Sequence, residues 1–108
     1  MTSVVNVKVA ELRKNGFTSF REWQENPNHI YIGRNMSYYV KGAHKSKWAN
    51  PYPVTKYGLE QSLVLYEKYL HQSGLIKNIH ELQGKILGCW CHPQPCHGDI
   101  LIKYANMN

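Results

Sequence analysis

From Lys85 to Ala105 the chain reads KILGCWCHPQPCHGDILIKYA: an apolar run, a loop holding Pro93 and Pro95, and then a helical pattern. A short apolar run bounded by turn residues reads as a buried strand. A strand that feeds a helix in this way is half of the repeating unit of a layered α/β fold. The same segment holds all three cysteines, Cys89, Cys91 and Cys96, together with His92 and His97. The stretch that most restricts the fold therefore also carries the most reactive side chains.

Upstream, VVNVKV over residues 4–9 alternates Val5, Val7 and Val9 with Asn6 and Lys8. That period of two predicts a half-buried strand near the edge of a sheet. In SFREWQEN, Ser19 and Glu22 have capping-box spacing, which predicts a short helix running to about Asn26. HIYIG, residues 29–33, is rich in β-formers and ends at Gly33, a second strand that delivers Arg34 at its carboxyl end. Leu59, Leu63, Tyr66 and Leu70 fall on one helical face that ends at Gly74, and a second helical segment spans Leu75 to Gln83 before Gly84. The order is β-α-β, a long loop, then α-α-β-α. It predicts an α/β fold, a small two- or three-layer domain with a short, mostly parallel sheet of reduced Rossmann-like, doubly wound type; α+β is the alternative. With 108 residues and 43% hydrophobic content, residues 1–108 are expected to form a single domain.

The long loop, Arg34 to Gly58, carries Arg34, Lys41, Lys45, Lys47 and Lys56 among five tyrosine and tryptophan side chains. Loops of that length in so small a domain are functional or disordered, and disordered segments are poor in aromatics. A formal charge of +6 favours anionic partners: nucleotides, phosphorylated metabolites or nucleic acid. No basic leader with an apolar core opens the chain, and no stretch approaches the ~20 apolar residues of a membrane span. No membrane partner is expected. An odd cysteine count argues against a disulfide framework and for a reducing compartment, so the expected location is cytoplasmic, or the host cytoplasm for a viral protein.

Ligands of open α/β sheets bind outside the carboxyl ends of the strands. If the second and third strands are parallel, Arg34 with its basic aromatic loop and HPQPCHGD leave the sheet on the same edge and share one crevice. IYIGR, KSKWANPYP and LQGKILGCWCHPQPCHGDIL together resemble a small family of uncharacterised proteins, a domain of unknown function found in cellular and viral genomes. Its marks are K-W-x-N-P-aromatic, on Lys47, Trp48, Asn50, Pro51 and Tyr52, and C-W-C-x-P-x-x-C-H, on Cys89, Trp90, Cys91, Pro93, Cys96 and His97. Ala49 stands where that family usually has Gly, which implies a backbone without positive φ at this position. The resemblance covers nearly the whole chain and brings no established activity. A looser likeness, a strand followed by C-x(n)-C-H at a helix start, connects the chain by analogy with other small α/β and nucleotide-binding proteins.

For the cysteine cluster the residues leave several readings open. A zinc set of Cys89, Cys91, Cys96 and His97, with His92 spare, has the right donors but not the usual spacing. The plainer reading makes Cys89 and Cys91 buried hydrophobes under the last helix, with Trp90 facing the other layer. Cys96 falls in the first turn of that helix, where free N–H groups lower a thiol's pKa; with His97 as base and Asp99 orienting it, it is a candidate nucleophile. Alternatively, the N–H groups of Cys96, His97 and Gly98 cradle a phosphate, or merely start the helix.

In KWANPYP, Trp48 and Tyr52 offer flat faces to a base while Lys47 and Arg34 meet phosphate; the alternative makes both aromatics core plugs. The function expected from these residues is binding of a nucleotide or nucleotide-derived phosphorylated ligand, with sequestration as its use. The site is Arg34, Lys47, Trp48, Asn50, Tyr52, Cys96, His97 and Gly98. Two alternatives are an enzyme acting on a nucleotide or its glycosidic bond through Cys96 and His97, and an RNA- or DNA-binding domain, with structural zinc as its cofactor. No cofactor is required by the first reading.

Overall fold

A computed structural model describes residues 1–107. The strands are β1 (Ser3–Asn6), β2 (His29–Tyr31) and β3 (Ile86–Cys89). The helices are α1 (Val9–Lys14), α2 (Phe20–Gln24), α3 (Val54–Tyr57), α4 (Leu59–Gln72) and α5 (His97–Ala105), with a 3-10 helix over Leu75–Leu82. The sheet order is β1-β3-β2, and β3 pairs parallel with both neighbours. Val4 and Ile30 both lie opposite Leu87, so the apolar residues of the three strands stay in register across the sheet. The expected α/β class, with a parallel sheet and β1 at its edge, is the one observed.

Each face of the sheet carries its own core. Leu87 and Cys89 of β3 and Ile32 pack with Trp48, Tyr66, Leu70, Leu82, Cys96, Leu101 and Ala105 on the face covered by α4, α5 and the 3-10 helix. Val7, Leu12, Phe20, Trp23, Tyr31 and Ala43 fill the opposite face, under α1, α2 and part of the long loop. The result is three layers. Parallel crossovers keep one hand, and the step from β1 to β2 crosses the sheet in the opposite direction to the step from β2 to β3. One hand for both therefore requires opposite faces, and the two cores lie on those faces.

The sequence pattern and the structure part company at three places. The first strand stops at Asn6 rather than reaching Val9, because the Asn6 Oδ1 accepts from the Lys8 N–H at 2.8 Å and turns the chain into α1. Val9 opens that helix and is 49% exposed. At α2, Ser19 does cap the Glu22 N–H, but the Glu22 carboxylate bonds the Thr18 N–H and hydroxyl, and the helix ends at Gln24. The segment after Gly74 is a 3-10 helix: Ile76, Ile79 and Leu82 recur every three residues, which suits three residues per turn.

Thr2 and Gly88 tie the layers together. The buried Thr2 hydroxyl donates to the Leu82 carbonyl at 2.6 Å and accepts from the Gly84 N–H at 3.2 Å, closing β1 onto the segment that enters β3. Gly88, the middle of β3, lies under the Trp23 ring; a Cβ there would stand 2.5 Å from Trp23 Cη2 and 2.7 Å from Val7 Cγ1. Gly88→Ala is expected to cost about 1–3 kcal/mol through overpacking, read as a lower urea midpoint with an unchanged m-value.

Candidate functional site

The carboxyl ends of β2 and β3 open into a cleft of about 390 Å³. Gly33 and Arg34 line it from the end of β2, Asn50, Tyr52 and Pro53 from the long loop, Val54 and Thr55 from α3, Leu59 and Leu63 from α4, and Cys89 to Cys91 with Pro95 to His97 from the end of β3 and the start of α5. The parallel pairing of β2 with β3 brings these two loops to one edge. Of the expected site residues, Arg34, Asn50, Tyr52, Cys96 and His97 line the cleft, whereas Lys47, Trp48 and Gly98 do not.

The reasons for those three departures are structural. Trp48 is 2% exposed and sits in the core with Tyr66, whose hydroxyl donates to the Trp48 carbonyl at 2.7 Å. Lys47 pairs with Glu81 at 2.6 Å and lies over the Trp48 ring, 5.4 Å from its centroid. Gly98 is buried against Ile32 and Val4, where a Cβ would stand 3.0 Å from Ile32 Cδ1 and 3.2 Å from Val4 Cγ2. Asn50 lines the cleft, and its side chain ties the loop down: Nδ2 donates to the Ser62 hydroxyl at 2.9 Å, and Oδ1 accepts from the Tyr52 N–H at 2.9 Å. The Ser62 hydroxyl in turn donates to the Tyr52 carbonyl. KWANPY is thus a clamp between the long loop and α4, and Ala49 in it takes no positive φ.

Arg34 is placed by Tyr31, whose hydroxyl donates to the Arg34 carbonyl at 2.6 Å and accepts from Trp90 Nε1 at 2.7 Å. Burial raises the Tyr31 pKa, which keeps its proton on the oxygen for that donation. The Tyr31 ring folds back over Gly33, where a Cβ would meet the phenol oxygen at 2.5 Å. Asn6, at the end of β1, holds the cysteine loop through Nδ2, which donates to the His92 carbonyl at 2.7 Å. Tyr31, Trp90 and Asn6 were missed by sequence reasoning. Only the aromatic Trp90 inside the cysteine cluster offered a signal.

The cysteines separate into a pair and a single residue. The sulfurs of Cys89 and Cys96 lie 3.5 Å apart, both residues being buried, while Cys91 is exposed beyond the end of β3. Burying Cys91 under the last helix, as alternation along a longer strand predicted, fails because pairing stops at Cys89. Trp90 does face the other layer, beside Phe20 and Tyr31. At this separation the two thiols cannot titrate independently. Hydrogen bonding from the Cys96 thiol, helped by the His92 and Cys91 backbone N–H groups, holds Cys89 below the ordinary thiol range. Donating that bond, together with burial and the charge on Cys89, pushes Cys96 upward.

The start of α5 is satisfied from within. Cys96 is the N-cap: its sulfur accepts from the Asp99 N–H, and the Asp99 carboxylate accepts from the Cys96 N–H at 2.9 Å. Of the three amides assigned to a phosphate cradle, that of Cys96 is thus spent on the Asp99 carboxylate. Asp99 orients this cap and not His97. His97 Nε2 donates to the Ile32 carbonyl at 2.7 Å, and its ring stands edge-on to Tyr66 at 5.0 Å. A carbonyl can only accept, so the proton sits on Nε2, and burial lowers the pKa and keeps the ring neutral. Nδ1 carries the lone pair, is not fully buried and makes no hydrogen bond among the described residues. The zinc set does not assemble, since His97 Nε2 is bound to a carbonyl; no group of three His, Cys, Asp or Glu able to hold a metal occurs among the described residues.

Three parallel strands, helices on both faces and an open cleft at the strands' carboxyl ends define a small three-layer α/β protein with a reduced doubly wound sheet. The chain belongs to the family described as Domain of unknown function (DUF4326), whose model matches residues 17–107. It is 35% identical over 83 residues to uncharacterized protein R718 of Acanthamoeba polyphaga mimivirus, covering 68% of this chain and 64% of that protein. It is 49% identical over 37 residues to an uncharacterized 12.4 kDa protein from the nrdA-td intergenic region of Enterobacteria phage T4, covering 32% of this chain and 34% of that one. Each match thus spans less than two thirds of the relative's length. No solved structure matches the chain. No helix among the described residues is long and apolar enough to cross a membrane.

Two consequences can be measured. In a Cys91→Ser variant, absorbance at 240 nm should report one thiolate per chain already at pH 7.5, about one unit below the ordinary thiol pKa of about 8.5, and the second only at much higher pH. Stability should fall as the solution is acidified. Both Cys89 and His97 are depressed in the fold, so below the unfolded pKa of each the unfolded chain binds more protons. Urea midpoints measured from pH 8 down to pH 5 should decrease throughout; a flat profile would contradict the assigned protonation states.

Proposed function

We propose that the chain binds a nucleotide or a nucleotide-derived phosphorylated small molecule in this cleft. The observation that carries the reading is the cleft's position and lining: it opens at the carboxyl ends of parallel strands, and Arg34 is the one Lys or Arg among the residues around it. Its volume lies within the range of small-molecule sites. Arg34 meets the phosphate with a fork of N–H donors. Tyr52, Trp90, Leu59 and Leu63 supply the apolar and aromatic wall that a base needs, and His97 Nδ1 supplies an acceptor for a base N–H or a ribose hydroxyl.

The enzyme alternative draws on the same cleft. Cys96 and His97 make no hydrogen bond to each other in this arrangement, since each is committed elsewhere. The nucleic-acid alternative draws support from Tyr38 and Tyr39, 90% and 78% exposed in the loop that also bears Arg34, Lys41 and Lys45. It differs from the favoured reading in its salt dependence, because a protein that neutralises several phosphates loses affinity steeply with salt.

Isothermal titration with adenine and guanine mono-, di- and triphosphates tests the proposal. Arg34→Ala should weaken the best ligand by about 1–3 kcal/mol, the value of a charge-assisted contact. Lys47→Ala should leave affinity unaltered, because Lys47 is spent on Glu81 outside the cleft. Equal losses in both variants would overturn the site as drawn. Binding only to an oligonucleotide, with a steep salt slope, would transfer the function to the exposed loop.

A further inference from the structure

Cys89 and Cys96 are the two buried members of a set of three cysteines, and both line the cleft. Their sulfurs already touch at 3.5 Å, and a disulfide bond requires about 2.05 Å, so a displacement of about 1.5 Å joins them. The connection between them is a loop whose Cys91, Pro93, Gln94 and Pro95 are exposed. Cys91 is not an equal partner. It is exposed, beyond the end of the strand, whereas Cys89 and Cys96 face each other in the buried wall. We propose that Cys89 and Cys96 form a thiol–disulfide exchange centre in the cleft wall, closing to an intramolecular disulfide at the expense of a low-molecular-weight disulfide. This does not depend on the ligand assigned to the cleft.

The local chemistry distinguishes the two sulfurs. Cys89 accepts from the Cys96 S–H and from the His92 N–H, so it carries the negative charge and attacks. Attack on the external disulfide forms a mixed disulfide at Cys89 and releases one thiolate, which takes the proton from Cys96. The Cys96 thiolate so formed, no longer facing a charged Cys89, then displaces the second external sulfur from Cys89. That sulfur leaves as a thiolate and is protonated by solvent. The pair gives up two electrons and the Cys96 proton, solvent supplies the second proton, and the external disulfide becomes two thiols.

The full chain should be equilibrated with 2-hydroxyethyl disulfide, quenched with acid, alkylated with N-ethylmaleimide and analysed by mass spectrometry. The expected product is lighter by two hydrogens, carries a single maleimide on Cys91, and yields a Cys89–Cys96 cross-linked peptide on digestion. Cys91→Ser, a change at an exposed position, should oxidise to the same extent and take up no maleimide. Cys96→Ser should stop at the mixed disulfide on Cys89. A mixed disulfide on Cys91 alone, with Cys89 and Cys96 alkylated only after denaturation, would overturn the proposal, as would a Cys89–Cys91 cross-link. Failure of Cys91→Ser to oxidise overturns it even if Cys96→Ser does not fold.

Discussion

The architecture depends on β3 taking a parallel neighbour on each edge while both of its faces are buried. A central strand in that position satisfies its backbone through β1 and β2 and can expose nothing, which is why ILGC contains no charged side chain. Its residues are divided between two cores: Leu87 and Cys89 toward α5, Ile86 and Gly88 toward α2. Gly88 belongs to this constraint, since it leaves the space that the Trp23 ring occupies. Removing β3 would leave β1 and β2 without hydrogen-bond partners and would separate the two helical layers.

The cleft is a direct product of the same arrangement. Parallel strands deliver their following loops to one edge, and the helices that cover the two faces diverge there. What fills the edge is then decided by which side chains the core can absorb. Trp48 and Ala49 go inward, Lys47 turns to Glu81, and Asn50 clamps the loop to Ser62 of α4. The motif that reads as a ligand-binding signature is in large part the fastening of the cleft's outer wall. Arg34, Tyr52, Trp90 and His97 remain to face the opening. The sulfur pair lies at the base of this wall, where the end of β3 meets the first turn of α5.

Much of the fold was legible because its signals are local. The apolar run before Cys89, the Leu63–Tyr66–Leu70 face, the Ser19 cap and Gly74 and Gly84 after their helical segments each follow from residues within a few positions of one another. The boundaries that were misplaced were moved by side-chain bonds that a period cannot encode. Asn6 stops β1 by capturing the Lys8 N–H, and a spacing of three among Ile76, Ile79 and Leu82 selects a 3-10 helix over an α-helix. In the site, Arg34 and His97 were recognisable by residue type and position. Tyr31 was not, because its part depends on meeting Trp90 from a strand 59 positions away.

The sequence by itself determined the α/β class, the parallel sheet, the edge at which a cleft must open and the two loops that border it, since these follow from hydrophobic period and strand–helix alternation. Tertiary structure decided which members of each motif face that cleft. Aromatic, basic and sulfur-bearing residues serve equally well as core, clamp or ligand contact, and the choice depends on partners distant in the chain: Glu81 for Lys47, Tyr66 for Trp48, Ile32 for His97 and Cys89 for Cys96.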